Sequence, residues 1–221
     1  MTLRTARLVL RDMSEDDLPA LRAILTDPVA MTAYEGAFTE AECRAWLERN
    51  LQRYTEDGFG LWAVELADAP GEMIGQCGIT RQRIDDDEVL EVGYLFRRAH
   101  WHRGYATEAA AASRDWAFRE LDAPTVWAKV RDTNIASMHV AIRLGMTVRR
   151  RFVTHYRGVD MPHLGFAVDR SSAHSSARMP TVAASCSRRE IGHRSCAAPT
   201  SSSVSPSVRP CADTKAVTWN S

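Results

Sequence analysis

No uninterrupted apolar run in this 221-residue sequence approaches the roughly 20 residues that carry a helix across a bilayer, which excludes a helical membrane span. Net charge is lacking too. The 28 basic and 28 acidic side chains cancel, so no global basic field invites nucleic acid or an anionic membrane. Arg4, Arg7, Arg11 and Asp12 interrupt the apolar residues of the N-terminus. No signal-peptide core forms there, and a cytoplasmic location is expected. The five cysteines are scattered and odd in number, which makes neither a disulfide framework nor a closed zinc site, and no metal is expected. Cys43 and Cys77 read as small buried side chains. Two nucleotide signatures are also missing: no Gly-Lys-Ser or Gly-Lys-Thr occurs, and no GxGxxG.

What remains is a chain of ordinary domain size, 45% hydrophobic and able to bury a substantial core. Its composition changes near residue 170. Residues 1–170 carry 22 basic and 26 acidic side chains, whereas 171–221 carry 6 and 2. Of those last 51 residues, 13 are Ser, and Trp219 is the only aromatic. Such a segment buries too little apolar surface to offset a backbone ordering cost of about 1 to 2 kcal/mol per residue. The expectation is one domain over 1–170 and a disordered tail over 171–221. In that tail Cys186, His193, Cys196 and Cys211 match no common zinc-finger spacing.

Within 1–170, Arg7 to Met13 alternates like a strand, and Ser14 caps a helix striped by Leu18, Leu21, Ile24 and Leu25. Thr39 and Glu42 form a capping box for a helix that stops near Gly58. Runs at 60–66 and 73–81 flank Ala-Pro-Gly turn chemistry and predict a hairpin. A strand over 89–96 follows an acidic turn. A long helix from Ala106 is then striped by Ala109, Ala110, Ser113, Trp116, Ala117 and Leu121. Next come a strand at 125–131, a short helix with Ile135, Met138, Ala141 and Ile142 apolar, and strands at 147–156 and 161–168. About seven strands and four helices in mixed order predict a single α+β (α/β) domain.

The segment that carries chemistry is Val92-Gly93-Tyr94-Leu95-Phe96, then Trp101-His102-Arg103-Gly104-Tyr105-Ala106-Thr107-Glu108-Ala109. A strand stops, a glycine turn follows and a helix starts. Unpaired N–H groups and about half a positive charge from the helix dipole then converge as an anion site, most naturally for phosphate. Gly104 and Ala106 leave the main chain open to a pyrophosphate. The plainer reading is a strand-to-helix turn without a ligand.

Those residues, with Glu91 before them, resemble the acetyl-CoA-binding motif of the GCN5-related N-acetyltransferases. Within that superfamily the sequence is similar to the branch that acetylates ribosomal-protein N-termini. Asp132-Thr133-Asn134-Ile135-Ala136-Ser137, Leu144-Gly145-Met146 and the opening Thr5-Ala6-Arg7-Leu8-Val9-Leu10-Arg11 extend the resemblance over nearly all of 1–170 and none of the tail. Trp101 fills the first motif position, and His102 stands where the branch has glycine. A positive φ at residue 102 strains the histidine; a mere N–H contact makes the change mild.

The resemblance implies a splayed sheet. The pantetheine arm of acetyl-CoA would lie along the backbone of Tyr94, Leu95 and Phe96, with Asn134 reaching it from the far side. The pyrophosphate would meet the N–H groups of His102, Arg103, Gly104, Tyr105, Ala106 and Thr107. Asn134 also reads as a helix N-cap, and the two roles are compatible. Amine attack on a thioester needs an unprotonated nitrogen, which an α-amine of pKa about 7.7 to 8.0 supplies more readily than a lysine near 10.4. Glu91 is the first candidate base, or else a structural carboxylate; His155 and Glu35 are weaker candidates. Ser137 stands where the branch carries a serine thought to protonate the leaving sulfur, or is an ordinary helix serine bonded one turn back. The implied activity is acetyl transfer from acetyl-CoA to a primary amine, a protein N-terminus or a small molecule, in a ternary complex. The alternative is an acyl-CoA-binding sensor without turnover.

Overall fold

A computed structural model describes residues 2–172. Eight strands form one sheet: β1 (Thr2–Arg4), β2 (Leu8–Arg11), β3 (Leu61–Leu66), β4 (Ala69–Ile84), β5 (Asp87–Phe96), β6 (Thr125–Arg131), β7 (Thr147–Tyr156) and β8 (Val159–Asp169). Their order is β1-β2-β3-β4-β5-β6-β8-β7. Every neighbouring pair is antiparallel except β5 and β6. The helices are α1 (Leu18–Leu25), α2 (Glu40–Glu56), α3 (Tyr105–Glu120) and α4 (Ile135–Arg143).

Strand alternation divides the core. On β3, Leu61 and Ala63 face a cluster that holds Leu21, Ile24 and Leu25 of α1 and Leu47 of α2. Trp62 and Val64 face the other cluster, built with Ala109, Trp116 and Ala117 of α3 and Val140 of α4. The Trp62 and Trp116 rings meet edge to face at 4.9 Å. The sheet is therefore sandwiched between α1 with α2 on one face and α3 with α4 on the other.

The capping box closes as expected: Thr39 N donates to Glu42 Oε2 at 2.7 Å, and Glu42 N to Thr39 Oγ1 at 3.3 Å. Three local readings change. The edge strand β1 escapes detection because three residues, Thr-Leu-Arg, show no periodicity. The β3–β4 turn is Ala67-Asp68, and the Ala-Pro-Gly segment lies inside β4, where register shifts at Val64, Glu65 and Leu66 absorb it. On α4 the buried side chains are Ala136, Val140 and Ala141, whereas Ile135 and Ile142 are 50% and 59% exposed. Of the expected stripe, Ala141 is buried and Met138 packs against the core, while the two isoleucines stay at the surface. Among the described residues no helix is long and apolar enough to cross a membrane. The expected disordered tail and its cysteines lie outside the described residues, except for the tail's first two residues.

Candidate functional site

The opening in the sheet lies between β5 and β6. These parallel strands share one register pair, Glu91 with Trp127. Beyond it β5 continues to Phe96 paired with β4 alone. The sheet thus splits at Glu91, and a cavity of about 580 Å³ occupies the region, lined by Glu91, Tyr94, Leu95, Phe96, Ala106, Asn134 and Ser137 among others. Sequence positions 43 residues apart are bonded across it: Tyr94 Oη donates to the main-chain oxygen of Ser137 at 3.2 Å.

Next to this cleft the chain turns from β5 into α3. Trp101 Nε1 donates to the Phe96 carbonyl at 2.8 Å and pins the turn to the strand end. That carbonyl, at the end of the backbone stretch expected to meet the pantetheine arm, is thereby already engaged. Two residues of the turn have left-handed backbone: His102 at φ +59° and Gly104 at φ +77°. Glycine bears this without cost, whereas histidine is strained. Of the two sequence alternatives for residue 102, the positive φ is the one realised. Glu108 N makes the first bond of α3, to Gly104 O at 3.1 Å. Among the described residues, none of the N–H groups from His102 to Thr107 has an acceptor. These donors and the α3 dipole form an anion-ready end.

A staple fixes that end to the sheet. Glu108 accepts from Thr5 Oγ1 at 2.7 Å, Arg7 N at 2.9 Å and Arg7 Nε at 2.6 Å. Arg7 Nη1 also donates to Arg103 O at 3.0 Å, and its guanidinium lies 4.8 Å from the Tyr105 ring centre. Burial opposes ionisation of Glu108, but the bonds from Thr5 and Arg7 outweigh it and hold the carboxyl below its usual range.

Glu91 sits at the fork, its side chain 14% exposed. Lys129 N donates to its Oε1 at 3.1 Å, and Lys129 Nζ lies 3.8 Å from Oε2. Burial raises its pKa against the pull of Lys129 and, more weakly, Arg53. Its carboxyl is thus more readily protonated than an exposed one, with both oxygens facing Lys129. Asn134 Oδ1 accepts from Ser137 N at 3.1 Å, so the N-cap reading of Asn134 holds. The Ser137 hydroxyl has no hydrogen-bond partner among the described residues, and the back-bonded helix serine is not seen.

The two weaker base candidates are placed differently. His155 is 70% exposed, paired with Asp160 at 2.8 Å, while its strand neighbours Thr154 and Tyr156 line the cavity. Alternation along β7 sends it to the other face. The Glu35 carboxylate is engaged by Arg131 in an ion pair that ties the loop after α1 to the end of β6. Residues unmarked by any motif also line the cleft. His163 places Nδ1 2.8 Å from Met161 O and stacks on Phe152 at 5.5 Å. A carbonyl only accepts, so Nδ1 carries the proton and Nε2 is left as the lone pair. Burial lowers the His163 pKa, partly countered by the Met161 bond. Tyr34, Phe38 and Trp46 form an edge-to-face cluster, and Trp46 Nε1 donates to Gln76 Oε1 at 3.1 Å. Strand pairing with β6, invisible in the sequence, is what brings His163 here. Among the described residues no group of His, Cys, Asp and Glu is arranged to hold a metal ion.

Comparison with known proteins agrees with this geometry. The acetyltransferase (GNAT) domain family matches residues 7–147. The uncharacterised Bacillus subtilis protein YkkB is 39% identical over 65% of this chain and 84% of its own length. An acetyltransferase from Agrobacterium tumefaciens has a similar structure, with a TM-score of 0.66 at 33% identity, over 77% of this chain and 95% of that one. RimL, a ribosomal L7/L12 α-N-protein acetyltransferase solved with coenzyme A, shares the fold at a TM-score of 0.63 and 18% identity, over 76% of this chain and 98% of that one. The matched residues span the cleft, the glycine turn and α4, and with them this chain belongs to the GCN5-related N-acetyltransferases, enzymes that take an acetyl group from acetyl-CoA.

Proposed function

We propose that the protein acetylates a primary amine, a protein N-terminus or a small molecule, by direct attack in a ternary complex. The observation that carries this reading is the open fork at Glu91 beside acceptor-free N–H groups at the start of α3. The N–H groups of His102, Arg103, Gly104, Tyr105, Ala106 and Thr107 fit a pyrophosphate. Arg103, whose guanidinium has no ion pair among the described residues, adds charge there. The unpaired edge of β5 at Tyr94 and Leu95 fits a pantetheine arm, with Phe96 at its end and Asn134 opposite. Acetyl-CoA bound this way supplies an activated acyl group; the chain supplies position and proton transfer.

Glu91 accepts a proton from the amine as the new C–N bond forms, directly or through water. Ser137 gives its hydroxyl proton to the departing sulfur as the C–S bond breaks, and the products are an amide and a thiol. Direct attack is favoured over an acyl-enzyme by the two cysteines among the described residues. Cys77 is buried against Ser113 and its thiol is pushed up to about 12 by burial, and burial also raises Cys43. Both are poor nucleophiles. The strained His102 favours one other reading, an acyl-CoA sensor without turnover. Thiol release from acetyl-CoA with an amine panel tests both: intersecting double-reciprocal lines support direct attack, parallel lines overturn it, and binding without amine-dependent release leaves the sensor.

A further inference from the structure

The walls of the cavity on the α1 and α2 side hold donors that the protein does not use. Gln76 is fully buried on β4, paired with Ala63 and Leu95 of the flanking strands. Its orientation is fixed, because the Trp46 indole can only donate and must meet Oε1. The Nε2 group therefore lines the cavity with no hydrogen-bond partner among the described residues. Arg131 Nε is likewise buried and unpartnered. On α2, Arg49 and Arg53 line the same cavity and form no ion pair among the described residues; Arg49 lies 5.8 Å from the Trp46 ring centre. Buried donors left without acceptors are costly and uncommon, which marks this wall as built for a group that brings oxygen atoms.

Charge points the same way. The cavity lining holds four cations, Arg49, Arg53, Lys129 and Arg131, against two carboxylates, Glu42 and Glu91. Both carboxylates are engaged, Glu42 by Arg157 and Thr39, Glu91 by Lys129, and Arg131 is paired with Glu35, which leaves Arg49 and Arg53 as the cations of this wall without an ion pair among the described residues. A polycationic amine entering here meets like charge; an anionic one does not. Burial and the neighbouring Arg49 lower the Arg53 pKa, with Asp57 and Glu91 acting in the opposite direction, so this cation and the fork carboxylate feel each other's field.

We propose that the acceptor is an amino acid with a free carboxylate, drawn in by Arg49 and Arg53 and hydrogen-bonded at an oxygen by Gln76 Nε2. Polyamines and peptide termini, which lack that carboxylate beside the amine, fit this wall poorly. The inference rests on reading the cleft as the acceptor's entry, and binding and turnover separate the two claims. The probes are α-amino acids, their carboxamides, which mimic a peptide terminus, and spermidine. Each is titrated calorimetrically into the full chain saturated with coenzyme A, and each is assayed for thiol release from acetyl-CoA.

The expected result is at least one amino acid that binds about tenfold or more tightly than its carboxamide, with spermidine weakest. Arg53→Gln is expected to bring that ratio toward one. Gln76→Glu keeps an oxygen for Trp46 but removes the donor, and is expected to weaken amino-acid binding; should it fail to fold, Arg53→Gln decides. Carboxamides or spermidine binding as tightly as the amino acids, or no probe binding at all, would overturn the proposal. Selective binding without thiol release would uphold the carboxylate site and defeat acetyl transfer.

Discussion

The Tyr94 hydroxyl donates to the Ser137 carbonyl at 3.2 Å, bonding the open half of β5 to the first turn of α4. Because the bond uses the main chain of Ser137, it holds the residue in place while leaving its hydroxyl free. Burial pushes the Tyr94 phenol well above its usual range, so it stays a donor at any working pH. Ser137→Ala is expected to lower kcat about a hundredfold with acetyl-CoA affinity retained. Tyr94→Phe should lower the melting temperature by a few degrees, as loss of one neutral hydrogen bond of about 1 kcal/mol implies. Steady-state kinetics and thermal melts check the pair; a fully active Ser137→Ala removes the proposed donor.

Glu91, the proposed base, also bears on stability. Its folded pKa lies above its unfolded value because burial disfavours the charge. A group raised in this way adds stability below its unfolded pKa, and that contribution is lost as pH rises through the folded pKa. Glu91→Gln should therefore gain in melting temperature relative to the parent as the pH is raised above the ordinary carboxylate range, while losing rate. Parallel melts and pH–rate profiles test this. An unchanged rate at every pH would make Glu91 purely structural.

His102 has φ +59° without being glycine. Strain of this kind is about 1 kcal/mol or more, so His102→Gly is expected to raise the melting temperature by a few degrees and to tighten acetyl-CoA binding. Denaturation curves and calorimetry read both. A destabilised variant would mean that the histidine side chain contributes more than its backbone costs.

Gly104, at φ +77°, separates shape from charge. Asn and Asp both tolerate left-handed backbone better than other side chains. Gly104→Asn should weaken acetyl-CoA binding by crowding alone, and Gly104→Asp should abolish it by setting a negative charge against phosphate. Equal affinities for the two variants would remove the phosphate from this turn.

Much of the local structure is written in neighbouring residues. Thr39 and Glu42 start α2, the alanine stripe makes α3, and the run from Trp101 to Thr107 announces a glycine turn, because caps, periods and turns depend on residues a few positions apart. The side chains gathered around the cleft are different. Gln76 meets Trp46 across 30 positions, Arg131 meets Glu35, and His163 arrives through its pairing with β6. A strand of period two shows which residues share a face, not which strand will lie beside it. For the same reason the sequence offered His155 as a weaker base candidate and passed over His163, and pairing turned the first outward and brought the second to the cleft.

The sequence by itself determined the mixed order of strands and helices, the start of α3 and the family, since each rests on short runs of adjacent residues. Only the tertiary structure decided that β5 and β6 part after Glu91, that Tyr94 reaches Ser137 and that the wall opposite holds unspent donors. Those features come from packing between segments distant in the chain, where strand register and burial fix which side chains meet.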